Sequence, residues 1–116
     1  MQNPNERNGG RIRAPMPVRN SWGREMSCAN ESEYAAKIVM VNQGKALCIQ
    51  AQSTETLYLH SGRLWFNLNG HEFELIPGAS ITIDRSDVVH FQAEEDSAIL
   101  EVGAGHLSKL VSLDGK

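Results

Sequence analysis

The chain has 116 residues, of which 41% are hydrophobic and 22% charged, and this length and composition fit one globular domain with a single core. Its net charge of -3 argues against nucleic acid as a partner, because nucleic-acid binding requires a basic face. No apolar run is long enough to cross a membrane and no signal segment opens the chain, so we expect a cytoplasmic protein. Cys28 and Cys48 are too few and too separated for a zinc pattern or a disulfide framework, and both are expected to be reduced thiols.

The first part of the chain is basic. Residues 1–24 hold five arginines, which leaves 6 of the 11 basic and 13 of the 14 acidic side chains to residues 25–116. The arginines are interleaved with Asn, Gly and Pro and show no helical spacing. We therefore expect a flexible or extended arm over residues 1–20 and a folded domain over residues 21–116. Alternatively, residues 12–18 dock in extended form on a neighbouring subunit, because prolines favour extended backbone.

From Lys37 onward, short apolar runs alternate with Gly, Asn, Asp and Pro, a pattern typical of a small antiparallel barrel or sandwich. The runs YAAKIVMVNQG, KALCIQAQ and ETLYLHSG each predict one strand. Next come LWFNL and HEFELI, which flank Asn69-Gly70, a pair that tolerates the positive φ angles of a two-residue hairpin. The sequence therefore predicts a hairpin at this position.

After that hairpin, turns are predicted at Pro77-Gly78, at DRSD (84–87) and at EEDS (94–97), with strands SITI, VVHFQA and AILEVG beside them. The charged residues of 84–87 are expected to form a solvated turn. Helical periodicity is confined to a short turn around 32–36 and a tail near 106–110. The fold class that follows is all-β in a single domain.

Several segments in this order carry a family resemblance: SWGRE (21–25), YAAKIVMVNQG (34–44), ETLYLHSG (55–62), ELIPGASITI (74–83), VVHFQAEEDSAILEV (88–102) and LVSLDGK (110–116). Together with the Asn-Gly hairpin, they resemble a cupin of the mannose-6-phosphate isomerase type. The resemblance implies a small antiparallel β-barrel, or jelly roll, over residues 21–116. It also implies a metal site built from two strand motifs.

The first motif of the resembled family runs Gly, five residues, His-x-His, then Glu and, six residues later, Gly. Counted from Gly44, this frame puts Gln50 and Gln52 at the two histidine positions and Glu55 at the glutamate position. In the second motif, Val89 stands at the histidine position and His90 follows it. Amide oxygens and a valine do not replace imidazoles as ligands. We therefore predict a protein without a metal and without a cofactor.

The residues predicted to line the barrel mouth are Cys48, Gln50, Gln52, Glu55 and Val89. Two interpretations are open. The amides could form a polar plug that hydrogen-bonds internally and holds no ligand. Alternatively, they could line a reshaped pocket for a small polar, sugar-like molecule, because polar groups inside a barrel are costly unless they are paired or used. We favour the pocket.

An enzyme is the alternative function. A metal-free cupin could act as an isomerase, epimerase or lyase if Glu55 served as base and His90 or Tyr58 as acid, which requires inward-pointing side chains. Strand alternation argues against Tyr58, and the motif frame argues against His90 unless a local bulge turns it inward. A weak metal site of unusual composition would be the other route to activity.

Trp65 alternates with Leu64 and Phe66 and is therefore predicted on the outer face of the sheet. An exposed tryptophan on a sheet suggests a subunit contact, and we expect a homodimer. A third hypothesis is a regulatory or structural subunit that engages a partner protein through Trp65 and the basic arm. Trp22 is expected to pack the entering chain against the barrel.

Overall fold

A computed structural model describes residues 11–113, so the first ten residues of the predicted arm and residues 114–116 lie outside the description. Nine strands follow one another: β1 (Val18–Asn20), β2 (Gly23–Asn30), β3 (Ala35–Val41), β4 (Ala46–Gln50), β5 (Glu55–Leu68), β6 (His71–Leu75), β7 (Ser80–Ile83), β8 (Val89–Gly103) and β9 (Lys109–Ser112). The two short stretches with helical periodicity are not helical. Nothing in residues 11–113 forms a helix that could cross a membrane.

All strand pairs are antiparallel and belong to one curled sheet. Its strands follow the order β1-β2-β3-β8-β4-β9, and β5 pairs with β6, β7 and β8. β8 uses its last residues, 97–103, to pair with β3 and its first residues, 89–92, to pair with β4. β5 pairs with β8 along nearly its whole length, and the sheet curls around one interior. This architecture confirms the predicted all-β jelly roll.

Two predicted strand breaks are bends within single strands. β5 runs for 14 residues through Gly62, and β8 runs for 15 residues through the stretch 94–97 that was predicted as a turn. The register between them shifts around Ser61 and Arg63, which marks bulges. Gly62 has φ 95°, and a Cβ at this position would collide with the Ser97 hydroxyl. The glycine therefore bends the strand without ending it.

The other predicted turns are confirmed. Asn69 and Gly70 have φ angles of 53° and 88°, as a two-residue hairpin with positive φ at both positions requires. The turn at 84–87 is more than a solvated loop, because Asp87 accepts hydrogen bonds from the Asp84 amide at 2.8 Å and from Asn69 Nδ2 at 2.9 Å. These bonds, the Asp84 amide first, lower the pKa of Asp87 below its ordinary value. They tie this turn to the Asn-Gly hairpin.

The core fills the inside of the curled sheet with side chains from the inward-facing positions of each strand. Phe66 lies at its centre, stacked on Phe73 at 5.6 Å and on Phe91 at 5.4 Å between ring centroids. Trp22 is buried in the same cluster, which confirms its predicted packing role. Trp65 is 40% exposed on the opposite face, as its alternation with Leu64 predicts. The homodimer that this exposed tryptophan suggests stays a prediction.

Candidate functional site

The structure places the residues predicted for the barrel mouth on two different faces. In β4, Leu47 and Ile49 are buried in the core, whereas Cys48 is half-buried and Gln50 exposed. Gln52, in the loop after β4, is also exposed. The prediction that Cys48, Gln50 and Gln52 share an inner face with Glu55 was therefore wrong. A one-residue slip in a strand register is enough to move a whole set of side chains to the other face.

Val89 and His90 show the same alternation at the start of β8. Val89 is buried and directly opposite Ile49, in agreement with its predicted inward position. His90 is opposite Cys48 and half-buried on the outer face, so no bulge turns it inward. Tyr58, the other predicted acid, is 39% exposed. The structure therefore does not bring His90 or Tyr58 to Glu55, and the predicted catalytic pair is corrected.

The donor set inside the barrel does not fit the metal that the cupin resemblance implies. The side chains around Val89 are apolar and include Ile49, Phe91 and Leu47, none of which can coordinate a cation. Within the part of the chain that the structure describes, no group of three or more His, Cys, Asp and Glu side chains is placed to hold a metal ion. We therefore derive no chemistry through a bound metal.

A buried polar cluster lies at the other end of the interior. Glu55 begins β5 and is 1% exposed, Glu101 near the end of β8 is 0% exposed, and Ser108, just before β9, is 1% exposed. Each glutamate is in phase with buried leucine or isoleucine residues of its strand, which turns it inward. Glu55 is thus buried where the sequence predicted an inward carboxylate, although its role as a base stays a prediction.

Ser108 joins the two carboxyl groups. Its Oγ lies 2.9 Å from Glu55 Oε1 and 2.6 Å from Glu101 Oε2. A hydroxyl group has one proton, so it can donate to only one of them, and the other contact needs a protonated carboxyl as donor. The geometry therefore favours a state in which the pair Glu55 and Glu101 holds one proton.

The electrostatics agree with a shared proton. Burial, followed by hydrogen bonding with Glu55, raises the pKa of Glu101 to about 8, while the Ser108 hydroxyl and the Lys37 ammonium act in the opposite direction. Glu55 Oε2 and Glu101 Oε1 accept no hydrogen bond from residues 11–113, although Lys37 Nζ lies 3.7 Å from Glu101 Oε1. A direct hydrogen bond between the two carboxyl groups requires one of them to be protonated, and the raised pKa keeps a proton in the pair at neutral pH.

Lys37 connects this pair to the rest of the site. It lies in β3 directly opposite Glu101, and its Nζ is 3.7 Å from Glu101 Oε1. The ammonium also donates to Glu25 Oε1 at 3.2 Å and to the Ser108 carbonyl oxygen at 3.1 Å. Its side chain is only 13% exposed. The carboxyl groups of Glu25, Glu55 and Glu101, the Lys37 ammonium and Ser108 therefore form a single network.

A cavity of about 170 Å³ opens on Lys37. Its other polar lining residues are Ser27 and Asn30 of β2 and His106 of the segment between β8 and β9. Lys37 lines the cavity and also forms an ion pair with Glu101 of the buried cluster. A molecule in this cavity would therefore contact the ammonium whose charge acts on Glu101.

The sequence interpretation missed Glu101, Lys37 and Ser108. A signal for the first two exists, because Lys37 is in phase with Val39 and Val41, and Glu101 is in phase with Ile99. A charged residue on the apolar phase of a strand indicates a buried charge. Ser108 carries no such pattern, since its position depends on the path of the loop that follows β8.

No family model matches the chain, and no curated protein does. Several solved structures are similar in fold. KdgF from Halomonas sp. is 17% identical, with 72% of this chain and 78% of that chain covered and a TM-score of 0.66. An RmlC-like cupin from Shewanella frigidimarina NCIMB 400 is 13% identical, covers 79% and 85%, and gives a TM-score of 0.73.

Ectoine synthase from P. lautus is 10% identical, with 82% of this chain and 80% of that chain covered and a TM-score of 0.71. These identities are low, and the likeness therefore concerns the fold. The chain has the cupin fold. The similar solved structures and the curled antiparallel sheet agree on this fold with the family resemblance found in the sequence.

Proposed function

We propose that this cupin-fold protein binds a small polar molecule in the cavity over Lys37 and that it does so without a metal. The observation that carries the proposal is a buried carboxyl pair, Glu55 and Glu101, linked by one lysine to a cavity that opens at the protein surface. Buried charged groups are costly, and a protein keeps them when they are paired for structure or used for recognition. The cavity beside the pair favours recognition.

The cavity lining defines the class of ligand. Lys37, Ser27 and Asn30 offer an ammonium, a hydroxyl and an amide, which donate hydrogen bonds to hydroxyl, carboxylate or phosphate oxygens. A volume of about 170 Å³ corresponds to roughly five or six water molecules at ~30 Å³ each. This fits a compact hydroxylated molecule or one end of a larger one. The resemblance to the mannose-6-phosphate isomerase type supports a sugar-like ligand.

A thermal-shift screen tests this function. Mannose 6-phosphate, fructose 6-phosphate and galacturonate serve as probes, and we expect at least one of them to raise the melting temperature of the wild-type protein in proportion to its concentration. Lys37→Met should abolish the shift. Lys45→Met is the matched control, since the Lys45 side chain does not line this cavity. Equal shifts in both variants would refute binding at Lys37, and no shift with any probe would refute the sugar-like ligand.

A second candidate function is proton transfer, as in an isomerase or epimerase. It is favoured by the pKa of Glu101, raised to about 8, which keeps a carboxylic acid protonated at neutral pH beside a second carboxyl group. In this mechanism Glu55 removes a proton from a carbon of the substrate and Glu101 gives one to another atom of the same molecule. It requires the substrate to reach past Lys37, because neither carboxyl group lines the cavity. The acid is thus Glu101, in place of the His90 or Tyr58 predicted from the sequence.

Solvent exchange separates the two functions. A proton-transfer enzyme incubated with a bound probe in D₂O incorporates deuterium into it, which proton NMR detects. Glu101→Gln keeps the shape and neutrality of the protonated acid, so this variant should bind the probe normally but exchange no hydrogen. If the wild-type protein binds the probe but incorporates no deuterium into it, the binding function remains and the proton-transfer function is refuted.

A further inference from the structure

A second polar cavity lies on the outer face of the sheet, at the β1–β2 hairpin. Its volume is about 380 Å³, and the lining residues that matter here are Arg19, Arg24, Asn20, Asn42, Asp96 and Met40. It shares no lining residue with the cavity over Lys37. A molecule bound in this cavity would therefore not contact the residues proposed to bind a ligand over Lys37.

Two arginines on neighbouring strands line this cavity. Arg19 and Arg24 are directly opposite in the β1–β2 pair, so their side chains leave the sheet on the same side. Like charges in directly opposite positions destabilise a strand pair. An anion bound between the two guanidinium groups would remove this repulsion.

No acidic side chain of the described chain neutralises them. The ion pairs among residues 11–113 involve Lys37 and Arg63, and neither Arg19 nor Arg24 takes part in one. Arg24 Nε donates to Met40 Sδ at 3.1 Å, and a thioether sulfur is a weak acceptor. Each guanidinium has five N–H donors in a planar fork, most of which remain available.

Asp96 is the acidic residue that lines this cavity, and its carboxylate is already engaged. Its Oδ1 accepts a hydrogen bond from the main-chain N–H of Gln43 at 2.7 Å. This bond holds the carboxylate at the connection between β3 and β4. It forms no ion pair with either arginine within the described residues. Its negative charge weakens, without cancelling, the attraction of this cavity for an anion.

We propose that this cavity binds an oxyanion, a phosphate or a carboxylate group, between Arg19 and Arg24. Two guanidinium forks on adjacent strands can each make paired N–H to oxygen bonds, the geometry by which arginine recognises these groups. The amides of Asn20 and Asn42 line the same cavity and supply further donors. The anion replaces the missing acidic partner of the arginine pair.

The cavity is larger than a bare phosphate, and its neighbourhood is apolar on one side. Met40 also lines an adjoining groove of about 360 Å³ with Ile38, Tyr58 and Leu100. An oxyanion could therefore belong to inorganic phosphate or to an organic acid whose apolar part lies along Met40. Both share the group that the two arginines recognise.

Isothermal titration calorimetry of the full chain at low ionic strength tests this site, with inorganic phosphate and octanoate as separate probes. We expect at least one probe to bind and Arg19→Gln and Arg24→Gln each to weaken its binding about tenfold or more. Asp96→Asn keeps an oxygen acceptor for the Gln43 amide but removes a negative charge, so it should tighten binding severalfold. Binding of octanoate alone identifies an organic acid, and binding of phosphate identifies a compact anion.

Arg85→Gln is the control for a general effect of charge. Arg85 lies in the turn between β7 and β8 and does not line this cavity. The proposal is wrong if neither probe binds the wild-type protein, or if Arg85→Gln weakens binding as much as Arg24→Gln does. Arg19 is exposed, so Arg19→Gln gives a folded variant even if Arg24→Gln disturbs the hairpin, and circular dichroism verifies the fold of each.

Discussion

The interior of the barrel has two halves that the same strands build. At one half, β5 and β8 contribute Leu64, Phe66, Val89 and Phe91, all buried and apolar. At the other half, the same two strands contribute Glu55 and Glu101, also buried and in phase with apolar neighbours. Strand alternation therefore turns residues of both halves inward, and the second half adds two carboxyl groups to its apolar side chains.

This contrast separates the close-packed part of the fold from the part that contains the proposed binding site. Around Val89, where the resemblance predicts metal ligands, the chain has a close-packed aromatic and aliphatic core. Around Glu101, it has a proton-sharing carboxyl pair, a lysine and a cavity. Substitutions in the two halves are therefore expected to change the stability of the protein in different ways.

The largest effect is expected in the apolar half. Phe66→Ala should lower the free energy of unfolding by about 3–5 kcal/mol, because it removes a ring that stacks on Phe73 and Phe91 and leaves a cavity. Trp65→Ala is the matched control on the outer face of the same strand and should cost within about 1 kcal/mol. Urea denaturation measures both values. Similar losses would show that this half is not a packed core.

In the charged half, stability should depend on pH through Glu101. Its pKa is raised from 4.5 to about 8, so the native state keeps a proton that the unfolded state releases in this range. This contribution to stability is complete below the ordinary pKa and is lost as the pH rises through 8.

Urea denaturation at about pH 5, 7 and 9 of wild type and Glu101→Gln measures that contribution. Wild-type stability should fall with rising pH relative to the variant, which has no proton to lose at this position. A constant difference between the two proteins across the series would mean that Glu101 titrates normally in the folded state.

Lys37→Met should lower the free energy of unfolding by about 1.5–3 kcal/mol, the range for hydrogen bonds of charged groups. It removes the ammonium that donates to Glu25 and to the Ser108 carbonyl oxygen. The same substitution should extend the pH range over which Glu101 stays protonated, because the ammonium lowers the pKa of Glu101. Lys45→Met, in the loop before β4, is the control and should change neither quantity.

The smallest effect is expected at the two glutamines that the sequence placed inside the barrel. Gln50→Ala and Gln52→Ala should each change the free energy of unfolding by about 0.5 kcal/mol or less, since both side chains are exposed. Ile49→Ala, one residue from Gln50 and buried, should cost about 2–5 kcal/mol. A large loss of stability in Gln50→Ala would indicate that the glutamine side chains face the interior of the barrel.

The fold could be predicted from local signals, because turn chemistry and alternation act over a few residues. Asn69-Gly70 fixed a hairpin, and the apolar runs predicted β3, β4 and β7. The bends in β5 and β8 could not be distinguished from strand ends, since a glycine or a polar stretch such as 94–97 serves both purposes in sequence. Only pairing with β3, β4 and each other keeps these strands continuous.

The site was harder to predict for a physical reason. A count of residues from Gly44 assigned Gln50 to the inner face, whereas the pleat of β4 turns Ile49 inward. Glu55 was found because it keeps its inward phase at the start of β5. Its partners come from β3, from β8 and from the segment before β9, and no local pattern brings Lys37, Glu101 and Ser108 to one place.

Because β5 and β8 each pass through both halves, one backbone ladder with bulges around Ser61 and Arg63 joins the two halves. We therefore expect amide hydrogens near Phe66 and near Glu101 to exchange with solvent through one cooperative opening of the sheet. A molecule that bound only the native protein at Lys37 would lower the population of the open state, so it would protect the distant aromatic region as strongly as its own surroundings.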